Sequence, residues 1–136
     1  MLVGAVLALA AGTAQAAAKP AQVVRAWSKA LNANDNVAAA DLFAHNARVI
    51  QPGVVDGRLN SHALAVAFND SLPCAGRLVA MQVNGNRVTA TFVLGERPKH
   101  HCDAPGAKAA ALFVVRAGKI VRWQQVPVPP SGATAF

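Results

Sequence analysis

The chain has no tyrosine, only two cysteines, and six acidic residues against thirteen basic ones. Each scarcity excludes something. Without a phenol, acid–base work falls to carboxyl, imidazole and amino groups. Two cysteines, Cys74 and Cys102, do not make up the zinc patterns in which one close pair is matched by a second. His100 and His101 are adjacent, and neighbouring side chains of an extended chain point to opposite faces, so they do not readily share one ion. No metal and no other cofactor is expected. The basic residues are scattered from Lys19 to Arg122 rather than clustered in one helix, and no stacking aromatics lie among them at the spacing of an RNA-binding sheet. The net charge of +7 therefore reads as a solvated basic surface, drawn to anionic polymers or membranes outside the cytoplasm, and not as a nucleic-acid interface.

Long apolar runs are missing too, apart from one. Leu2 to Gly12 is an uninterrupted run of Leu, Val, Ala and Gly, followed by Thr13, Ala14, Gln15 and Ala16, the small-x-small pattern that a signal peptidase cuts. The run ends short of the roughly twenty residues that a permanent membrane anchor needs. Residues 1–18 therefore read as a signal peptide cleaved near Ala16 or Ala18, and the protein as secreted or periplasmic. No charged residue precedes Lys19, which points to a start codon further upstream. Residues 19–127 read as one domain without repeats or linkers, and residues 128–136, rich in Pro, Gly and Ser, as a flexible tail.

Within the domain, Val24, Trp27 and Leu31 recur at helical spacing over residues 21–32. Asn34, Asp35 and Asn36 break this helix and offer a capping side chain for a second, shorter one through Ala44, with Val37, Ala40 and Phe43 inward and Asp41 and His45 near its end. Ala47 to Gln51 reads as a short strand stopped by Pro52 and Gly53, with a further extended piece from Val54 to Leu59. A third helix follows, capped by Asn60 or Ser61 and burying Leu64, Ala67 and Phe68. Strands are expected at 77–83, 87–94, 109–116 and 119–126, with turns at Asn84-Gly85-Asn86 and Ala117-Gly118. That order describes an α+β domain, with three helices packed on a strongly curved and mostly antiparallel sheet.

Four stretches carry a family resemblance: Ala30-Leu31-Asn32-Ala33-Asn34-Asp35, Asp41-Leu42-Phe43-Ala44, Ala47-Arg48-Val49-Ile50-Gln51-Pro52 and Gly118-Lys119-Ile120-Val121. In order and spacing they resemble the nuclear transport factor 2-like superfamily, which includes SnoaL-type polyketide cyclases and ketosteroid isomerases. The resemblance implies a cone with an internal apolar pocket. Trp27, Leu31, Gln51, Phe68, Phe92, Leu112 and Trp123 are the residues expected to line or floor it, although the apolar ones among them would serve equally as ordinary core. Ketosteroid isomerases move a proton with a tyrosine, a basic aspartate and a protonated aspartic acid. The matching positions here hold Trp27, Gln51 and either Ala110 or Ala111, so that mechanism is lost. Trp27 keeps an N–H with which to orient a carbonyl.

The remaining ionisable groups gather in Glu96-Arg97-Pro98-Lys99-His100-His101-Cys102-Asp103. His101 and Asp103 form the candidate catalytic pair, with Arg97 holding an anionic group. Three functions follow: a binder of a small apolar or aromatic molecule, a lyase, isomerase or hydrolase using His101 and Asp103, or an interaction module forming a homodimer through the open sheet face. In an oxidising compartment Cys74 and Cys102 are expected to form a disulfide, worth about 3 to 4 kcal/mol on the chain-entropy model. Mass analysis of the exported protein is expected to show a chain beginning just after Ala16 or Ala18 with both cysteines oxidised. Free thiols at Cys74 and Cys102 would overturn the pairing.

Overall fold

The computed structural model describes residues 4–5 and 16–130. Most of the expected signal peptide and the end of the expected tail lie outside the described residues. Helix α1 (Pro20–Asn32) opens on a proline, where the missing amide donor would have no partner in any case. It buries Val23, Val24, Trp27, Ser28 and Leu31 along one stripe. Helix α2 (Asn36–Asp41) is capped by Asp35, whose carboxylate accepts the Ala38 N–H at 3.0 Å.

Helix α2 is shorter than the sequence pattern suggests, because strand β1 (Phe43–Gln51) already begins at Phe43. So short a helix presents only a narrow stripe, Ala39 and Ala40, to the core. Val37, expected inward, is 54% exposed. His45 consequently lies on β1, while Asp41 pairs with His62 at 2.8 Å.

Strand β2 (Val55–Leu59) pairs antiparallel with β1 and leads into α3 (His62–Ser71). Ser61 caps α3, accepting the Leu64 N–H at 3.1 Å. Its buried stripe is Ala65, Phe68 and Asn69: Phe68 faces inward as expected, but the helix is turned so that Ala67 is exposed and Leu64 is left 45% exposed. The rotation brings a polar residue, Asn69, inward. The reason is chemical, since two other buried groups use it.

Strands β3 (Ala75–Asn84), β4 (Arg87–Gly95), β5 (Lys108–Arg116) and β6 (Lys119–Val126) complete a six-stranded sheet in the order β2-β1-β6-β5-β4-β3. All neighbours are antiparallel except β1 and β6, which run parallel. Register shifts interrupt β1–β6 between Phe43 and Arg48, β3–β4 between Leu78 and Ala80, and β5–β6 between Val114 and Val115. Irregularities of this kind bend strands and curl the sheet. Inside the curl, Trp27 meets Phe113 with ring centroids 5.2 Å apart, and Phe68 meets Trp123 at 5.1 Å, both edge-on.

Arg97, in the loop between β4 and β5, departs furthest from the sequence expectation. It does not present a charge to a ligand, because it is only 2% exposed. Its Nη1 donates to the carbonyls of Asn69 at 2.7 Å and Leu72 at 2.6 Å, and its Nη2 donates to Asn36 Oδ1. The two carbonyls lie at the C-terminal end of α3, where acceptors lack helical donors and the helix dipole is negative. Burial pulls the guanidinium below its ordinary pKa, while the nearby Asp70 carboxylate acts the other way. It stays charged throughout the working range of pH.

The same loop is fastened a second time, because Cys74 and Cys102 form a disulfide. With the disulfide intact, Arg97→Ala is expected to lower the stability read from urea unfolding by about 3 kcal/mol, since it strands buried acceptors. Arg97→Lys should lose about half as much, as an ammonium lacks the planar fork. Unchanged stability in Arg97→Ala would contradict this role.

Candidate functional site

A cavity of about 160 Å³ lies between α1 and the concave face of the sheet. Strand β5 makes the room, because Ala109 and Ala111, on the same face as the core residue Phe113, stand at its wall where larger side chains would fill the space. Ala111 pairs with Ala90 on one side and Gln125 on the other. Trp27 and Leu31 of α1, Phe92 of β4 and Trp123 of β6 supply most of the apolar surface. Leu72, Pro73 and Cys74 form part of the rim, so the disulfide sits at the edge of the cavity.

Helix α1 is held over the cavity by contacts to one residue of β3. Asn32 donates to the Gly76 carbonyl at 2.8 Å and accepts its N–H at 2.9 Å, and Ser28 Oγ reaches the same carbonyl at 3.3 Å. Space is tight here, since a Cβ at Gly76 would lie 3.0 Å from Phe92 Cβ and Phe92 would have to give way by a few tenths of an ångström. These bonds occupy the polar groups of Ser28 and Asn32, although both residues line the cavity.

Gln51 and Gln125 differ from them. Val49 and Trp123 are buried register partners on β1 and β6, and the side chains two residues further along each strand share their face. Gln51 and Gln125 thus come to the cavity wall as neighbours on parallel strands. Neither side-chain amide has a hydrogen-bond partner among the described residues. Among the described residues no Asp, Glu, His, Lys or Arg lines the cavity, and Cys74 is tied in its disulfide. The wall can therefore donate and accept hydrogen bonds, but it holds no side chain that exchanges a proton near neutral pH. Among the described residues no group of three or more His, Cys, Asp or Glu is placed to hold a metal ion.

Of the residues expected at the pocket, Trp27, Leu31, Gln51, Phe92 and Trp123 line this cavity. Leu112 does not, because it alternates with the core-facing Ala111 and Phe113 and so points to the other face of β5. Phe68 packs behind the wall, against Trp123 and Phe43. Trp27 Nε1 is also committed elsewhere, donating to Asn69 Oδ1 at 2.8 Å, so it is not free to orient a carbonyl. His101 and Asp103 come within 3.5 Å of each other, but their side chains are 84% and 87% exposed and neither lines the cavity. Both alanines that match the isomerase acid position, Ala110 and Ala111, line it. Gln125 escaped the sequence reading, although its spacing from Trp123 marks it as facing the same way.

A curled sheet closed by helices around a cavity is the nuclear transport factor 2-like fold, and solved structures agree. A protein from Sphaerobacter thermophilus is 24% identical with a TM-score of 0.63, the match covering 85% of this chain and 99% of that one. A proposed polyketide cyclase from Sinorhizobium meliloti is 19% identical with a TM-score of 0.60, covering 77% and 94%. A proposed ketosteroid isomerase from Kribbella flavida is 19% identical with a TM-score of 0.57, covering 83% of each chain. No protein among the curated ones matches. Residues 24–123 match the SnoaL-like domain, and the chain belongs to that family.

The composition of the wall has a direct consequence for pH dependence. The affinity of a non-titrating ligand for the cavity is expected to stay flat between about pH 5 and about pH 9, because no wall side chain titrates there. Isothermal titration at several pH values checks this. A sigmoidal change of tenfold or more would mean that an ionisable group reaches the ligand.

Proposed function

We propose that this domain is an exported binding protein that holds a small, uncharged and largely apolar molecule in its cone, with no acid–base catalysis in the cavity. The observation that carries the reading is a cavity wall in which no described residue offers a titrating side chain. The neighbours named as polyketide cyclase and ketosteroid isomerase share the fold. A proton-moving reaction of the isomerase kind needs groups that Trp27, Gln51, Ala110 and Ala111 do not supply. The His101–Asp103 pair stands in solvent and has no walled site beside it, so it favours no second reading.

Size narrows the ligand further. A dry cavity of about 150 Å³ takes up benzene, whereas sites for drug-sized molecules begin at about 300 Å³. The cavity here, at about 160 Å³, suits one ring rather than a steroid's four. Export is supported by the Cys74–Cys102 disulfide and by the N-terminal sequence pattern, and no helix among the described residues is long and apolar enough to cross a membrane.

Both tryptophans of the chain line the cavity, so intrinsic fluorescence reports on its filling. Titration with single-ring aromatic compounds is expected to give a saturable change, and titration with steroids none. If single-ring compounds leave the emission untouched, the binding reading fails.

A further inference from the structure

We propose that the occupant carries an uncharged head that donates and accepts hydrogen bonds at once, as a primary carboxamide or a lactam does, and that this head docks on Gln51 and Gln125. The inference rests on the binding reading above and specifies its ligand. Three observations carry it.

The two amides are neighbours on parallel strands, at the same level of the wall, and neither is engaged by another described residue. Of the other polar side chains of the wall, Ser28 and Asn32 are spent on Gly76 and the Trp27 indole on Asn69, while the Trp123 indole N–H is a buried donor without a partner among the described residues; the glutamine pair therefore supplies the unengaged acceptors of the wall. Among the described residues no charged side chain lines the cavity to balance an ion. A carboxylate or ammonium would therefore lose its hydration without gaining a counter-charge, at a cost that excludes it.

The chemistry of the amides then selects among neutral ligands. Each glutamine offers a carbonyl that accepts and an amino group that donates, whichever way the amide is turned. A ketone or ether engages only the amino groups and leaves both carbonyls without a donor. A carboxamide or lactam satisfies both kinds of group. Half-buried amides are hydrated when the cavity is empty, so a ligand without a polar head strips that water and returns nothing. The rest of the ligand is apolar and about one ring in size, lying among Trp27, Leu31, Phe92 and Trp123.

Toluene, benzamide and benzoate are near-isosteric probes that differ only in this head. Titrated calorimetrically into the full exported protein at neutral pH, benzamide is expected to bind about tenfold tighter than toluene, the value of one or two well-placed hydrogen bonds. Benzoate should give no detectable heat. In the double variant Gln51→Leu and Gln125→Leu, with folding checked by circular dichroism, the preference for benzamide over toluene should fall from about tenfold to about one.

Toluene binding as tightly as benzamide, benzoate binding at all, or a preference that survives in the double variant would each overturn the inference while leaving the binding reading in place. If neither toluene nor benzamide binds, the binding reading itself falls. The wild-type series is decisive even if the double variant does not fold.

Discussion

Asn69 is fully buried and holds three parts of the molecule to one point. Its side-chain carbonyl takes the indole N–H of Trp27 from α1, its amino group returns to the Ala65 carbonyl within α3, and its backbone carbonyl takes the Arg97 guanidinium from the β4–β5 loop. Arg97 then reaches Leu72 and Asn36, which adds α2. A buried polar group left without its partner costs about 1 to 3 kcal/mol. The arrangement is consequently close to all-or-none: removing one member strands the others in an apolar interior. The Trp27 ring, fixed in this way, forms one wall of the cavity.

The cavity depends equally on what β5 withholds. Alanines at 109 and 111 leave a gap between α1 and the sheet that the aromatic cluster around Phe113 does not fill. Packing alone would favour closing such a gap, since unfilled volume costs stability. Its persistence beside a fixed tryptophan and two unengaged amides fits a site kept open for an occupant. The fold is one on which catalysis and simple binding both occur, so it does not decide between them, and the side chains at the wall carry the argument.

Much of this was legible in the sequence. Helical spacing of Val24, Trp27 and Leu31, the turn residues at Gly85 and Gly118, and the motifs around Ala47 to Pro52 were enough for the α+β cone. The two cysteines and the apolar leader suggested a disulfide, which the fold contains. What failed was polarity read as a guide to exposure. Arg97 sits in a stretch of charged residues and reads as solvent-facing, yet it is buried because the end of α3 offers it carbonyls that only the folded chain brings near. Asn69 was passed over in favour of Leu64 for the same reason, as its partners lie 42 and 28 residues away in sequence. Leu112 illustrates the converse: its hydrophobicity pointed inward, but strand alternation turned it to the other face.

The central claim is that the cone, and not the polar loop, is the functional site, and that its polar end is amide rather than acid or base. A nitrogen-correlated NMR titration of the protein with benzamide tests it residue by residue, because indole and side-chain amide protons are resolved reporters. The account predicts that the side-chain signals of Trp27, Trp123, Gln51 and Gln125 shift together and saturate together. Shifts confined to the His100 to Asp103 loop, with these four signals unmoved, would contradict it.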